Sequence, residues 1–205
     1  MILLRRLFED GYTFYHKYNN KYEALMKAKS RRKKKHRARV VKVGDYYEVW
    51  EKKPPKKREK KKLIKENDIL WSLIVRKRDG YVCQLCRYFF ETGVKDEEPI
   101  PSKYMAAHHI FGRSKKATRW DTRNGITLCY YHHRFYIHGG KMTPSEMAEF
   151  YEWFLGKDTY EELEQKSRET VRFNYDFVKE WNEKLREEFE MTFGKTFEEW
   201  KKERR

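Results

Sequence analysis

Leu4, Phe8, Tyr12, Tyr15, Tyr18, Tyr22 and Leu25 recur at spacings of three and four, which predicts an amphipathic helix over residues 1–29 with an aromatic packing face. Between Val40 and Trp50 the pattern changes. β-Branched and aromatic residues flank Gly44-Asp45, which predicts a β-hairpin ended by Pro54-Pro55. Lys56 to Lys62 is a run of like charge, read as an extended linker. Asn67 or Asp68 can then cap a helix through Ile69, Leu70, Leu73 and Ile74 to about Arg78, where Asp79-Gly80 turns the chain. Residues 87–105, with Pro99 and Pro101, read as loop. Met105–Phe111 and Gly125–Leu128 are short apolar runs suited to strands, joined by a polar loop over 112–124. A helical pattern begins at His132 and stops at Gly139-Gly140. Thr143-Pro144-Ser145-Glu146 is a capping box. It opens a helix with Met147, Phe150, Tyr151 and Phe154 on one face. Asp158-Thr159-Tyr160-Glu161 opens another. Phe173, Phe177, Trp181, Leu185 and Phe189 form a long stripe up to Gly194, and Thr196 opens a last short helix. The expected fold is α+β, in three regions: a basic N-terminal extension over 1–62, a small core over 63–140 and a helical region over 141–205.

Charge adds a partner to this outline. The 205-residue chain carries a formal net charge of +16. Lys27–Lys62 holds 18 Lys/Arg against 4 Asp/Glu, a net of +14, whereas 141–205 holds 13 against 17, a net of −4. So local an excess implies a polyanion, with DNA expected first, and disfavours a merely solubilising surface. Arg31, Arg32, Lys33, Lys34, Lys35 and Arg37 form a candidate phosphate-contacting arm. Arg113, Lys115, Lys116 and Arg119 are candidates in the loop between the two predicted strands. No run is apolar enough for a membrane span, so a cytoplasmic protein is expected, one that associates with the nucleoid and is encoded by a cell or by a phage or virus within it. The C-terminal helices offer a packing or docking face, for a second copy or for a phage or mobile-element protein.

Candidate chemistry is concentrated. Five of the seven histidines fall between 108 and 138. The three cysteines make a poor disulfide framework, but Cys83-x-x-Cys86 and Cys129-x-x-His132 are matched knuckles for tetrahedral zinc. His108, His109, His133 and His138 remain. Adjacent strand residues face opposite sides, so His108 and His109 do not readily share one ion. His133 and His138 are five apart, off the ideal for one face of an α-helix. A divalent ion beside a neutral imidazole suits phosphodiester hydrolysis: the imidazole deprotonates water and the ion offsets charge on phosphate.

His108-His109-Ile110, Asn124 and Cys129-x-x-His132-His133 resemble the HNH endonuclease family, and His109 to Asp121 resembles its phage-type members, over about residues 68–170. The resemblance implies a zinc-stabilised ββα-metal core cutting DNA to 5′-phosphate and 3′-hydroxyl ends. His109 would be the general base and Asn124 the brace of the loop that positions it. His108, His133 and His138 would hold the catalytic Mg²⁺ or Mn²⁺. His132 stands where many members have a fourth cysteine, which leaves open which of His132 and His133 takes the zinc. His108 replaces the commoner Asp, a softer donor that lets Ni²⁺ or Zn²⁺ compete. Two other readings stand beside this one: a non-catalytic zinc-stabilised DNA- or RNA-binding module, and a component of a phage recombination or packaging assembly.

Overall fold

Asn20 interrupts the first expected helix. Its side chain accepts a hydrogen bond from the Glu23 amide at 2.8 Å and caps α1, Lys21–Lys33. Before it, Thr13–Tyr18 is strand β1, so a helix over 1–29 is corrected to a strand and a shorter helix. The aromatic spacing that suggested a helix also places β-forming residues in a run that pairs with a neighbour, and pairing decides. The structure is a computed structural model that describes residues 7, 9–10, 12–34, 36–52 and 57–204. Leu4 and Phe8 of the expected stripe, Lys35 and Pro54-Pro55 lie outside them.

The predicted hairpin is present: β2, Arg37–Val43, pairs antiparallel with β3, Tyr46–Lys52, in register Val43↔Tyr46. Gly44 takes φ +58° in the turn, a conformation glycine adopts without a Cβ clash. The sheet order is β1-β3-β2. Ala24 and Ala28 of α1 meet Ala38 and Val49 of the sheet; small side chains allow that close approach. Leu7, Tyr12, Val41 and Trp50 form a second small cluster.

The expected basic arm is mostly built into this unit. Arg31 binds Glu51, whose carboxyl that guanidinium holds below its usual range. Arg32 donates to the Ala38 carbonyl at 2.8 Å. Arg31 and Arg32 therefore make contacts within the fold. Lys33, Lys34 and Arg37 are exposed.

Two compact units divide at residue 57, and residues 63–140 and 141–205 share the second. The basic run expected as a linker is instead the start of α2, Lys57–Arg78. Asn67 and Asp68 lie inside that helix and do not cap it. Asn67 is fully buried, donating to the Val178 carbonyl and accepting from Asn182. Such mid-helix polar residues are explained by tertiary partners.

Cys83 precedes α3, Gln84–Glu91, which takes the first part of a stretch expected as loop. β4, Ala106–His109, and β5, Gly125–Leu128, pair antiparallel, with His109 opposite Gly125. A π-helical turn, His132–Ile137, follows. Four helices complete the chain: α4, Pro144–Leu155; α5, Lys157–Ser167; α6, Tyr175–Phe193; α7, Phe197–Lys202. Both Thr143 and Thr196 form the expected capping boxes. α5 starts one residue before Asp158, capped by Gly156.

α2 buries Leu70, Trp71, Ile74 and Val75 against Trp120, Val178, Leu185 and Phe189. A second cluster joins Leu85, Ile126, Leu128, Phe150 and Tyr151. The β4–β5 pair touches both cores, Ala107 packing against the first and Ile126 and Leu128 belonging to the second. The architecture is a mixed α+β fold, and no helix of the described residues is long and apolar enough to cross a membrane.

Candidate metal centres

The cysteine cluster is assembled from three elements. Cys83 stands at the start of α3, Cys86 one turn into it, Cys129 just past β5, and His132 at the head of the π turn. The Sγ atoms of Cys83 and Cys86 each lie 3.3 Å from His132 Nδ1, and the His132 amide donates to Cys129 Sγ at 3.5 Å. All four donor atoms lie within 4.8 Å of one another. Tetrahedral zinc with Zn–S bonds of about 2.3 Å sets donor–donor edges near ~3.8 Å, so small side-chain shifts close the set.

Crowding of the four donors shifts their protonation in opposite directions. Hydrogen bonds from Cys83 and Cys86 hold the Cys129 thiol far below its usual range, while the same crowding by Cys129 and Cys83 drives Cys86 far above it. Burial pushes His132 down, but Cys129 and Cys83 outweigh it and hold the ring up at about 9. Its Nε2 is buried and meets no hydrogen-bond partner among the described residues. The ring is wedged edge-on between Phe89 and Tyr136, so Nδ1, toward the sulfurs, is its one polar engagement. Three sulfurs and an imidazole converging on one point form a donor set that a metal such as zinc satisfies.

His108, His133 and His138 form a second group, again with ring nitrogens within 4.8 Å of one another. Ring centroids are 5.1 Å apart for His108–His133, 5.2 Å for His108–His138 and 4.8 Å for His133–His138. The geometry places His132 with the thiols and His133 with the imidazoles, the point the spacing alone left open. The π turn makes this possible. In an α-helix, residues five apart point about 140° away from each other. Here the His138 amide donates to the His133 carbonyl at 3.3 Å, the i→i+5 bond of a π-helix, and both rings meet on one side. Gly139 permits the closure: a Cβ there would lie 2.6 Å from the Phe135 carbonyl oxygen.

Burial first, then the neighbouring His133 and His138, hold His108 down at about 3, and His133 is also lowered by burial and by His138. Neutral imidazoles with available lone pairs are what a metal requires. His108 is 9% exposed, and its Nε2 lies 3.5 Å from the hydroxyl of Tyr151 on α4. Burial keeps that phenol protonated.

His109 stands apart from both groups, as strand alternation requires. Its ring stacks on Trp71 at 3.8 Å and 10°. Trp71 is itself fixed by donating to the Asp121 carbonyl at 3.0 Å. His109 Nε2 lies 3.0 Å from the Arg119 carbonyl oxygen. A carbonyl only accepts, so Nε2 carries the proton and Nδ1 keeps its lone pair. Burial holds His109 down at about 4, so the ring is neutral at pH 7.

Asn124 is fully buried and uses its whole side chain on one loop. It donates to the Phe111 and Thr118 carbonyls at 3.0 Å each and accepts from the Phe111 amide at 2.7 Å. The next residue, Gly125, has no room for a Cβ, which would meet Trp71 at 2.7 Å. Close packing of β5 on α2 thereby presses Trp71 against His109.

Among the loop cations, Arg119 is buried and gives its guanidinium to Asp68 at 2.9–3.1 Å. Asp68 also accepts from Trp120 and Arg113. Arg119 is thus placed to brace its own carbonyl, the one that holds His109. Lys116 is half-buried, 5.2 Å over Phe173; Lys115 and Arg113 are exposed. Trp71, Tyr151 and Asp68 are site residues that the sequence reading passed over. Tyr151 and Trp71 carry only the hydrophobic signal of a helix face, and Asp68 looks locally like a cap. No family model, curated protein or solved structure matches this chain.

Proposed function

We propose that this protein is a metal-dependent DNA endonuclease of the HNH type, with β4, β5 and the π turn as its ββα-metal core. One observation carries the reading. A three-imidazole centre and a fourth, separately oriented neutral imidazole occupy adjacent residues of one strand, His108 and His109, on its opposite faces. A merely structural second metal site gives no reason for the fixed tautomer of His109 or for its Trp71 and Asp68–Arg119 supports.

His108, His133 and His138 would hold the ion. When bound, a divalent ion supplies charge neutralisation at the phosphate and at the leaving oxygen. The chain's own groups do the rest. His109 Nδ1 takes a proton from a water molecule as the water oxygen forms its bond to phosphorus. The P–O3′ bond breaks, the 3′-oxygen takes a proton from solvent, and 5′-phosphate and 3′-hydroxyl ends result. The Arg119 carbonyl, hydrogen-bonded to Nε2–H, steadies the imidazolium that forms. Trp71 prevents the ring from turning, and Asn124 holds the 111–118 loop whose Arg119 end positions the ring. Donors that are all nitrogen favour Mn²⁺, Ni²⁺ or Zn²⁺ over Mg²⁺ relative to a carboxylate site. The Cys83–Cys86–Cys129–His132 cluster, read as zinc, ties α3 to the end of β5 and so fixes the hairpin.

Plasmid nicking with added Mn²⁺ or Mg²⁺ tests the proposal. Wild-type protein should nick, and His109→Ala should lose about 10²–10⁴-fold in rate. Equal background cleavage by both would leave a zinc-stabilised binding module as the reading.

A further inference from the structure

Several cations of the second unit are neutralised. Arg123 pairs with Asp121 and Glu162, Lys166 with Asp121, Arg186 with Glu66 and Glu198, and Lys195 with Glu203. Arg76, Lys103 and Arg204 meet no carboxylate among the described residues, and all three line one cavity of about 460 Å³. Its lining contains no acidic residue.

The cavity is built, not a gap between loose side chains. Arg76, on α2, donates to the Ser72 carbonyl at 3.1 Å and to the Met105 carbonyl at 3.3 Å, which fixes its guanidinium. The Ser102 amide donates to the Tyr81 carbonyl at 2.9 Å and pins the loop that carries Lys103. Tyr81 takes φ +57°, the one left-handed non-glycine residue among those described. The Lys103 ammonium lies 5.1 Å over Tyr104 and the Arg204 guanidinium 4.4 Å over Trp200. Neither makes a hydrogen bond or ion pair among the described residues. Ser102 Oγ accepts from the Tyr104 amide, so its own hydroxyl proton stays available.

We infer that this cavity is a phosphate subsite for a nucleic-acid strand passing the candidate active site, an inference that rests on the nuclease reading above. Three cations and a hydroxyl around one concavity, with no acid to neutralise them, concentrate anions. A planar guanidinium held by its backbone bonds suits phosphate oxygens, and two mobile cations close around them. The location fits a strand. Arg76 grips Met105, four residues before His109, so the cavity mouth stands roughly 13 Å along the β4 direction from the candidate base, at about 3.3 Å per residue. A duplex carries a phosphate per strand about every 3.4 Å of its axis, so a strand cut at His109 presents another phosphate within that reach.

Lys103→Gln with Arg204→Gln removes two of the charges and, beyond their contacts with the Tyr104 and Trp200 rings, no hydrogen bond or ion pair. The double variant is made in the full chain carrying His109→Ala, which prevents cleavage during measurement. Affinity for a fluorescein-labelled 16-base-pair DNA duplex is measured against salt, beside the His109→Ala parent. The slope of log affinity against log salt should become shallower by about 2, since each lost phosphate contact removes about 0.9. The loss should be the same on unrelated sequences. An unchanged slope with an unchanged melting temperature overturns the subsite. Nicking by wild-type protein is scored separately: a reduced slope without His109-dependent nicking retains the cavity as a strand contact and rejects the enzyme. Inorganic phosphate separates the other source. If millimolar phosphate raises the parent's melting temperature but not the double variant's, while the DNA slope is unchanged, the cavity takes a free anion and the strand assignment falls.

Discussion

The two metal-ligand groups share a turn of six residues and differ in almost everything else. The Cys83–Cys86–Cys129–His132 set has four donors, enough to complete a tetrahedron, and its histidine is 1% exposed. The His108–His133–His138 set has three donors and ends in an exposed His138. Closed four-ligand sites stabilise folds, and three-ligand sites with a free position perform chemistry. The adjacent residues His132 and His133 thus belong to different donor groups, of the kinds that the proposed function would use as scaffold and as reaction centre. The π turn brings His138 round to His133, while His132, one residue earlier, faces the thiols.

The largest effect that would test this contrast is on folding. Cys83→Ser or Cys129→Ser should abolish cooperative melting or lower the midpoint by more than about 10 °C, because metal binding to such a site is folding free energy. His133→Ala should leave the midpoint within a few degrees. Matching losses from both kinds of variant, read by circular dichroism, would erase the distinction between the sites.

A smaller effect concerns the support of His108. Tyr151 has no other hydrogen-bond partner among the described residues than His108 Nε2. Ligating histidines normally donate their second nitrogen to such a group. Tyr151→Phe should weaken Co²⁺ binding at the imidazole centre about 10–100-fold, followed by visible absorption, with the thiolate-bound cobalt bands unchanged. Equal weakening at both centres would instead mean general loosening of the core.

The smallest effect lies in acid. Burial raises the Asp68 carboxyl, but hydrogen bonds from Arg119 and Trp120 outweigh it, so the group sits below its ordinary 3.8 in the folded chain. Its contribution to stability is complete above that value and is lost as pH falls through the lower folded one. Asp68→Asn should therefore melt lower than wild type at pH 7, by a few degrees, and the gap should narrow at pH 3. A gap of constant size across that range would show that the Asp68 charge does not hold Arg119.

Local chemistry made much of this legible. The Gly44-Asp45 hairpin, the capping boxes at Thr143 and Thr196 and the two short strands follow from nearest-neighbour preferences and are present. The helix interior at Asn67 and Asp68 and the partners of Arg31, Arg32 and Arg119 were not legible for one shared reason. A polar residue in a polar stretch looks like a cap or a solvated charge until its partner is known, and those partners lie 6 to 115 residues away.

The sequence by itself determined the ligand types, their pairing in steps of three, and the opposition of His108 and His109, because these depend on side-chain chemistry and on the two-residue period of a strand. Tertiary structure decided which histidine joins the thiols, how residues five apart came to face one another, and which nitrogen of His109 is free. Those outcomes depend on a hydrogen-bond register, on a glycine where a Cβ cannot fit, and on a carbonyl that can only accept. Each is set by the packing of α2 and α3 on the hairpin, across distances that no local pattern spans.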